Sequence, residues 1–233
     1  MALRIALIGY GKMGRAVEQV ATARGHGIAA IISRNQPLTR DALDGADVAI
    51  EFTVPDRAVP NAIACVRAGV PVVVGTTGWS AQLPALEHEV EQARGAVLWS
   101  PNFSIGVQLL AQLLERLASL APARRGFAAH LVETHHQAKK DAPSGTAAML
   151  ARVYADAGGG ALPITSVRVG HVPGRHELIL DAAYEQLRLV HDARDRRVFA
   201  DGAVTAAEWL AQGGRRGIFT LRDALADDGG ASS

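Results

Sequence analysis

RIALIGYGKMG, residues 4–14, is the stretch whose reading decides the fold. An apolar run of strand length, RIALIG, leads straight into glycines at positions 9, 11 and 14, and a helical pattern then continues to about residue 24. Strand, glycine turn and helix N-terminus in that order are the context that a dinucleotide-binding fingerprint requires. Gly9 permits the tight turn, Gly11 lets the backbone come close to a pyrophosphate, and Gly14 lets the helix pack on the strand. The first turn of the helix supplies N–H groups for the phosphates.

The next strand, GIAAIIS (27–33), ends where an NAD-preferring site would place a carboxylate on the adenosine ribose, but this chain reads Ser33, Arg34, Asn35. With no carboxylate to repel a 2′-phosphate and a guanidinium able to clasp it, NADPH is expected to serve at least as well as NADH. A surface role for Arg34 is the plainer alternative.

Outward from this unit, the apolar runs ADVAIEF (46–52), VPVVVG (70–75) and AVLWS (96–100) alternate with helical patterns at 56–68 and 81–94. That rhythm predicts a Rossmann-like, doubly wound α/β parallel sheet. The strand ends carry Phe52 and Thr53, then Gly75, Thr76, Thr77 and Gly78, then Ser100, Pro101, Asn102 and Phe103, which are expected to line the cofactor crevice. The Thr76 and Thr77 hydroxyls suit the nicotinamide ribose or carboxamide, although a plain tight turn explains GTTG as well.

After the helical pattern IGVQLLAQLLERLASL (105–120) the character changes. One strand, a capped helix and three more strand candidates, ITSVRVG, RHELILDAA and EQLRLVH, predict a smaller α+β lobe with a mixed sheet. Helical patterns return at 205–212 and 221–227. The expected domains are therefore 1–103 with 205–233 for the dinucleotide, and 104–204 for substrate and self-association. An open sheet in the second lobe leaves edges to cover, which favours an oligomer.

The second lobe contains ETHHQAKKDAPSGTA (133–147), with two imidazoles, two ammonium groups and a helix N-terminus in one span. His135 and His136 end a strand pattern, and adjacent strand residues point to opposite faces, so the two imidazoles are expected to do different work. Lys139 and Lys140 follow on a polar loop, where a lysine beside a bound acid neutralises charge or donates a proton. Pro143, Ser144, Gly145 and Thr146 open a helix whose N-terminus attracts anions, and Gly145 lets a ligand approach the backbone. Taken singly, each element also reads as a solvated basic loop or an ordinary serine cap.

Composition fits one globular enzyme: 233 residues, 48% hydrophobic, 20% charged, with a formal charge of +1 that gives no reason to expect nucleic acid or an acidic membrane surface as partner. The single cysteine, Cys65, excludes an internal disulfide and sits in an apolar pattern suited to core packing. No leader and no apolar run near 18 residues is seen, so a cytoplasmic address is expected. The tail ADDGGASS (226–233) is expected to fray. No compact metal-ligand set appears, and HHQAKKD lacks the spacing of a helical zinc site.

GYGKMG, EFTVP, VGTTG, SPNFSIGV, ETHHQAKKDAPSGTA, VRVGHVPGRHEL and FADGAV occur in the order and spacing of the 4-hydroxy-tetrahydrodipicolinate (dihydrodipicolinate) reductase family of the diaminopimelate route to lysine, which this chain resembles nearly end to end. The resemblance implies that His135 is the catalytic acid/base and Lys139 the proton donor, and that His136, with Gly145 and Thr146 at the helix capped by Ser144, binds the substrate's carboxylates. It places the cofactor along Gly9, Tyr10, Gly11, Lys12 and Met13, at Gly75, Thr76 and Thr77, and at Ser100 through Phe103. It implies a homotetramer, a cyclic imine dicarboxylate substrate, and hydride transfer to C4 with loss of the 4-hydroxyl as water. The chain departs from the pattern at Ser33, where many members are acidic, at Thr205, where some have arginine, and in a compressed region around 35–45. Another two-lobe nicotinamide-dependent reductase of the amino acid dehydrogenase type, or a non-catalytic nucleotide sensor, remains as an alternative.

Overall fold

The computed structural model describes residues 1–33, 36–120 and 125–227, so Arg34, Asn35 and the tail beyond residue 227 lie outside the described residues. In chain order the first elements are β1 (Arg4–Ile8), α1 (Lys12–Ala23), β2 (Gly27–Ile32), β3 (Val48–Glu51), α2 (Pro55–Arg67), β4 (Val72–Val74), α3 (Leu83–Ala93), β5 (Ala96–Trp99) and α4 (Ile105–Ser119). Then come β6 (Ala128–His135), α5 (Gly145–Tyr154), β7 (Ile164–Arg168), β8 (Arg175–Asp181), β9 (Gln186–Asp192), α6 (Arg197–Ala211), β10 (Gly217–Thr220) and α7 (Leu221–Asp227).

β1 is apolar at consecutive positions because both of its faces are covered. Ile5 and Leu7 join Val48, Ile50, Val73 and Leu98 under α1 and α6, where Val17, Ala21, Ala203 and Ala207 meet them. Ala6 and Ile8 face the opposite way, with Ala49, Val72, Val74 and Val97, onto Ala58, Ala62, Cys65, Leu86 and Val90 of α2 and α3. Two-residue periodicity with helices on both sides produces this split. Each fully buried Val, Leu or Ile contributes roughly 1.5–3 kcal/mol. The six strands run parallel in the order β10-β5-β4-β3-β1-β2, the doubly wound sheet that the sequence predicts. Cys65 is fully buried, and burial, with Glu51 nearby, pushes its thiol up to about 12, which makes it core and not a nucleophile.

The sequence does not announce β10. GIFT is four residues long, follows Arg215 and Arg216, and lies half-buried at the sheet edge beside β5, so it shows no strong alternation. The chain divides into 1–104 with 197–233 and a second unit of 105–196. The return thus begins at Arg197, earlier than the expected 205. Gly202 looks like a helix breaker in sequence, yet it is buried inside α6 among Ala200, Ala203, Ala206 and Ala207, where small side chains let the helix pack closely.

The second unit has a four-stranded sheet in the order β7-β6-β8-β9. β6 and β7 are parallel, whereas β6–β8 and β8–β9 are antiparallel, so the sheet is mixed as predicted. α4 and α5 cover its core face, with Leu110, Leu114, Leu150 and Tyr154 packed on Leu131, Leu178 and Leu180.

Candidate active site

The glycine turn opens on a cleft of about 990 Å³ in the first unit, lined by Gly9, Tyr10, Gly11, Ser33, Phe52, Arg57 and Asn61 among others. Its three glycines have three different reasons to be glycine. A Cβ on Gly9, whose φ is +91°, would lie 2.1 Å from the Phe52 carbonyl oxygen, and one on Gly14 would lie 2.2 Å from that of Gly9. A Cβ on Gly11 would meet nothing within 4 Å. The chain itself therefore does not need Gly11; a ligand brought against the backbone does. Gly11 is also the N-cap of α1 and offers no side-chain cap, and no acidic residue occupies the first turn, so the N–H groups there are available to an anion. These residues fit a dinucleotide.

Of the sequence candidates, Gly9, Tyr10, Gly11, Ser33 and Phe52 meet on this wall. Lys12, Met13, Gly75, Thr76, Thr77 and Ser100, Pro101, Asn102 and Phe103 are not on it. Met13 packs against the core beneath α1, and Phe103 is 2% exposed with its ring 6.2 Å from that of Phe52. The Thr76 hydroxyl accepts the Thr53 N–H at 2.7 Å and its carbonyl accepts Trp79 Nε1–H, so Thr76 ties strand ends together. Gly75 is required by its neighbour, since a Cβ there would lie 2.1 Å from the Phe52 ring. Residues 100–104 close on themselves: Ser100 Oγ donates to the Asn102 carbonyl and Asn102 Oδ1 accepts the Ser104 N–H. Glu51, which the sequence did not single out, is fully buried at the end of β3, accepting from Thr53 Oγ1 and Asn61. Burial raises its carboxyl pKa against those hydrogen bonds, which favours the protonated form.

In the second unit β6 ends at His135, which is 7% exposed, while His136 is half-buried at the start of the loop. His135 Nδ1 contacts Glu133 Oε2. Two residues apart on a strand, they share a face. Glu133 is fully buried and also binds Arg168, whose two terminal nitrogens reach its two oxygens at 3.0 and 2.7 Å. Burial alone would raise the Glu133 pKa, but hydrogen bonds from Arg168, Ser166 and His135 outweigh it and hold the carboxyl at about 2. Burial draws the His135 pKa below its usual 6.5, although Glu133 opposes this, so the imidazole is neutral at pH 7.

The other end of the segment is built by α5. Ser144 is its N-cap and accepts the Ala147 N–H at 3.1 Å. Gly145 is exposed, and a Cβ there would meet nothing within 4 Å. Its N–H donates to Asp141 Oδ2 at 3.3 Å, and the same carboxylate pairs with Lys139 Nζ at 2.8 Å. Lys140 is exposed and Thr146 is half-buried in the first turn of the helix. His176, on β8 directly opposite Glu133, stands 3.3 Å from Ser144 Oγ and edge-on to His135 at 5.3 Å between ring centroids. Thus His135, Ser144 and Glu133 form one buried cluster, with Lys139, Asp141 and Gly145 beside it.

Glu133, Asp141, Arg168 and His176 escaped the sequence reading. The spacing of Glu133 and His135 on one strand face was a readable signal. Arg168 and His176 arrive by cross-strand register, which no local pattern carries. No group of three or more His, Cys, Asp and Glu suited to a metal ion occurs among the described residues.

Two family models match nearly the whole chain: the N-terminal region of dihydrodipicolinate reductase over residues 3–103, and the C-terminal region over residues 106–225. A 4-hydroxy-tetrahydrodipicolinate reductase of Christiangramia forsetii is 33% identical over 97% of this chain and 98% of its own. One of Methanopyrus kandleri is 39% identical over 77% of this chain and 71% of its own. Among solved structures, a dipicolinate-bound dihydrodipicolinate reductase from a Paenisporosarcina species shares the fold, with a TM-score of 0.82, 22% identity, and coverage of 96% of this chain and 99% of that one. A diaminopimelate dehydrogenase of C. glutamicum shares the fold less closely, at a TM-score of 0.58 and 14% identity over 95% of this chain and 93% of its own. With both halves matched in order and relatives above 30% identity along the chain, the protein belongs to the dihydrodipicolinate reductase family.

Proposed function

We propose that this chain reduces 4-hydroxy-tetrahydrodipicolinate to tetrahydrodipicolinate with loss of water, using a reduced nicotinamide nucleotide. The observation that carries this reading is that the cradle in the second unit already receives a carboxylate, its own Asp141, between the Lys139 ammonium and the Gly145 N–H. A dicarboxylic substrate entering there exchanges one of its carboxylates for that of Asp141, with the α5 N-terminus favouring the negative charge. Thr146 lies in the first turn of that helix, and His136, whose carbonyl accepts the Lys139 N–H, is assigned to the substrate's other carboxylate.

The nucleotide, when bound along Gly9 and Gly11, supplies hydride to C4 of the ring. Electron density then moves through the conjugated carbon–nitrogen system, and an acid must return a proton to the enamine carbon or nitrogen. Lys139, beside the bound carboxylate, is the donor in this scheme. Before the hydride arrives, His135, neutral at pH 7, is suited to take the proton from the ring carbon between C4 and the imine and pass it to the 4-hydroxyl, which leaves as water.

For the cofactor, the cleft supports NADPH at least as well as NADH. Its described lining has no carboxylate and one charged side chain, Arg57. Gln36 Oε1 accepts the Ser33 N–H and hydroxyl at 2.8 and 3.1 Å, leaving its amide nitrogen as a donor where an acidic residue would otherwise sit. For assembly, the edge strand β9 leaves Leu187 exposed on one face and Val190 on the other, and an edge of this kind suits a second copy within a homotetramer. No helix among the described residues is long and apolar enough to cross a membrane, and a cytoplasmic enzyme is our reading.

The test is oxidation of NADPH and of NADH by the purified protein, dependent on freshly prepared hydroxytetrahydrodipicolinate. Lys139→Ala should lower kcat on the order of 100-fold. Cofactor binding without any turnover would instead favour a nucleotide sensor.

A further inference from the structure

We propose that Glu133 is the positioning residue of this site, holding His135 in a single tautomer with Nε2 free for proton exchange while pinning the cap of α5 and the Lys139–Asp141 loop to the same carboxylate. The proposal rests on the reductase reading for its kinetic arm only.

Donors converge on both oxygens of Glu133: His135 Nδ1 and Arg168 on Oε2, and Arg168 and the Ser144 N–H, the latter at 3.2 Å, on Oε1, with the Ser166 side chain as a further partner. An ionised carboxylate offers about four lone-pair directions and no hydrogen. The hydrogen shared with the imidazole therefore belongs to Nδ1, and neutral His135 keeps a bare lone pair on Nε2. That nitrogen lies over Gly174, in the turn before β8, where a Cβ would come within 3.1 Å of it. Glycine at 174 keeps the reactive edge of the ring clear.

Arg168 extends the same support. Besides Glu133 it donates to the Asp141 carbonyl, so the loop bearing Lys139 and Asp141 is tied to the carboxylate that orients His135. His135 and Arg168 are also register partners across β6 and β7. An ion pair kept only for stability would have no need of an imidazole on one oxygen and a helix cap on the other, and a buried pair of this kind is weak evidence for stability in any case. The geometry instead resembles the general arrangement in which a buried carboxylate fixes an imidazole's tautomer and leaves its other nitrogen to do the chemistry.

In Glu133→Gln, the amide oxygen still accepts from Ser144, but the amide nitrogen facing His135 can only donate. His135 must then accept at Nδ1 and carry its hydrogen on Nε2. The expected result is a fall in kcat on the order of 100-fold with KM changed little, together with a shifted pH profile. In a His135→Gln background the same substitution should cost almost nothing further, since the two act as one unit. An equal cost in both backgrounds would mean a merely structural role and would overturn the proposal. The wild-type protein gives a reading that needs no variant to fold: ¹⁵N spectroscopy of the imidazoles should find His135 as the Nδ1–H tautomer at neutral pH. An Nε2–H form, or a mixture, would overturn the proposal even if the enzyme turns over. A wild-type protein that is inert toward hydroxytetrahydrodipicolinate but shows the Nδ1–H form would refute the substrate assignment and leave the positioning role standing.

Discussion

His176 Nε2 stands 3.3 Å from Ser144 Oγ, so the cap of α5 is braced by an imidazole that is only 4% exposed. Its Nδ1 has no hydrogen-bond partner among the described residues, which makes the charged ring costly. Burial first, then the neighbouring His135 and His191, lower its pKa from 6.5 to about 4. The unfolded chain therefore takes up a proton as pH falls through 6.5, and the folded chain only near 4. Stability attributable to His176 is full above pH 6.5 and declines between 6.5 and 4, by roughly 3 kcal/mol across the window. His135 and His191 shift in the same direction and add to the slope. Urea unfolding at pH 7 and pH 4.5 should show this loss, and His176→Gln should flatten it. An unchanged slope would remove His176 from the account.

Glu133 works in a separate window. Its folded pKa of about 2 lies below the usual carboxylate value, so its contribution is present above about pH 4.5 and is lost as pH falls toward 2. Acid unfolding of wild type and Glu133→Gln should diverge at neutral pH and converge near pH 2. If the difference between them were the same at pH 2 as at pH 7, the charge of Glu133 would not be what stabilises the fold.

The glycine turn separates into stability and binding. Gly9→Ala and Gly14→Ala each push a Cβ to about 2 Å from a backbone carbonyl and should destabilise the first unit by more than about 2 kcal/mol. The Cβ of Gly11→Val meets nothing in the chain within 4 Å, so its unfolding midpoint should stay close to wild type while nucleotide affinity, read by quenching of intrinsic fluorescence, falls at least about tenfold. Weakened folding in Gly11→Val with nucleotide binding retained would contradict the assignment of that open space to a ligand.

What the sequence revealed and what it hid divide along one physical line. The strands of the first sheet are legible because burial on both faces writes consecutive Val, Ile and Leu, and the capped α5 helix because Ser144 carries a local signal. β10 is hidden because an edge strand of four residues has one neighbour and half-buried side chains. Within the site, His135, Lys139 and Gly145 belong to one segment and could be read together. Arg168 and His176 sit 33 and 41 residues beyond His135 in sequence and reach it only through strand pairing. Gly75 and Thr76, read in sequence for ligand contacts, also have partners that only the fold supplies, the Phe52 ring and the Thr53 amide.

Cofactor choice should respond to charge on the cleft wall. Arg57→Glu leaves the glycine turn untouched and places a carboxylate where the described lining has none. NADPH affinity should fall about 10- to 100-fold, as expected for losing a charge-assisted hydrogen bond, while NADH affinity changes little. Equal losses for both nucleotides would place Arg57 against the shared part of the cofactor, and no loss for either would remove it from the site.

Asp141 sits where a substrate carboxylate is proposed to bind. If its carboxylate is a resident competitor, removing the charge should free Lys139 and the Gly145 N–H for an incoming anion. Because the Asp141 side chain is 55% exposed, water and salt screen the pair, and the gain is small. Asp141→Asn should bind dipicolinate, an unreactive cyclic dicarboxylate, about two- to fivefold more tightly in calorimetry, with the difference shrinking as salt is raised. Lys139→Ala should weaken the same binding. The opposite result for Asp141→Asn, weaker binding than wild type, would mean that the carboxylate orients Lys139 instead of standing in for the ligand, and the exchange at the α5 N-terminus would then have to be abandoned.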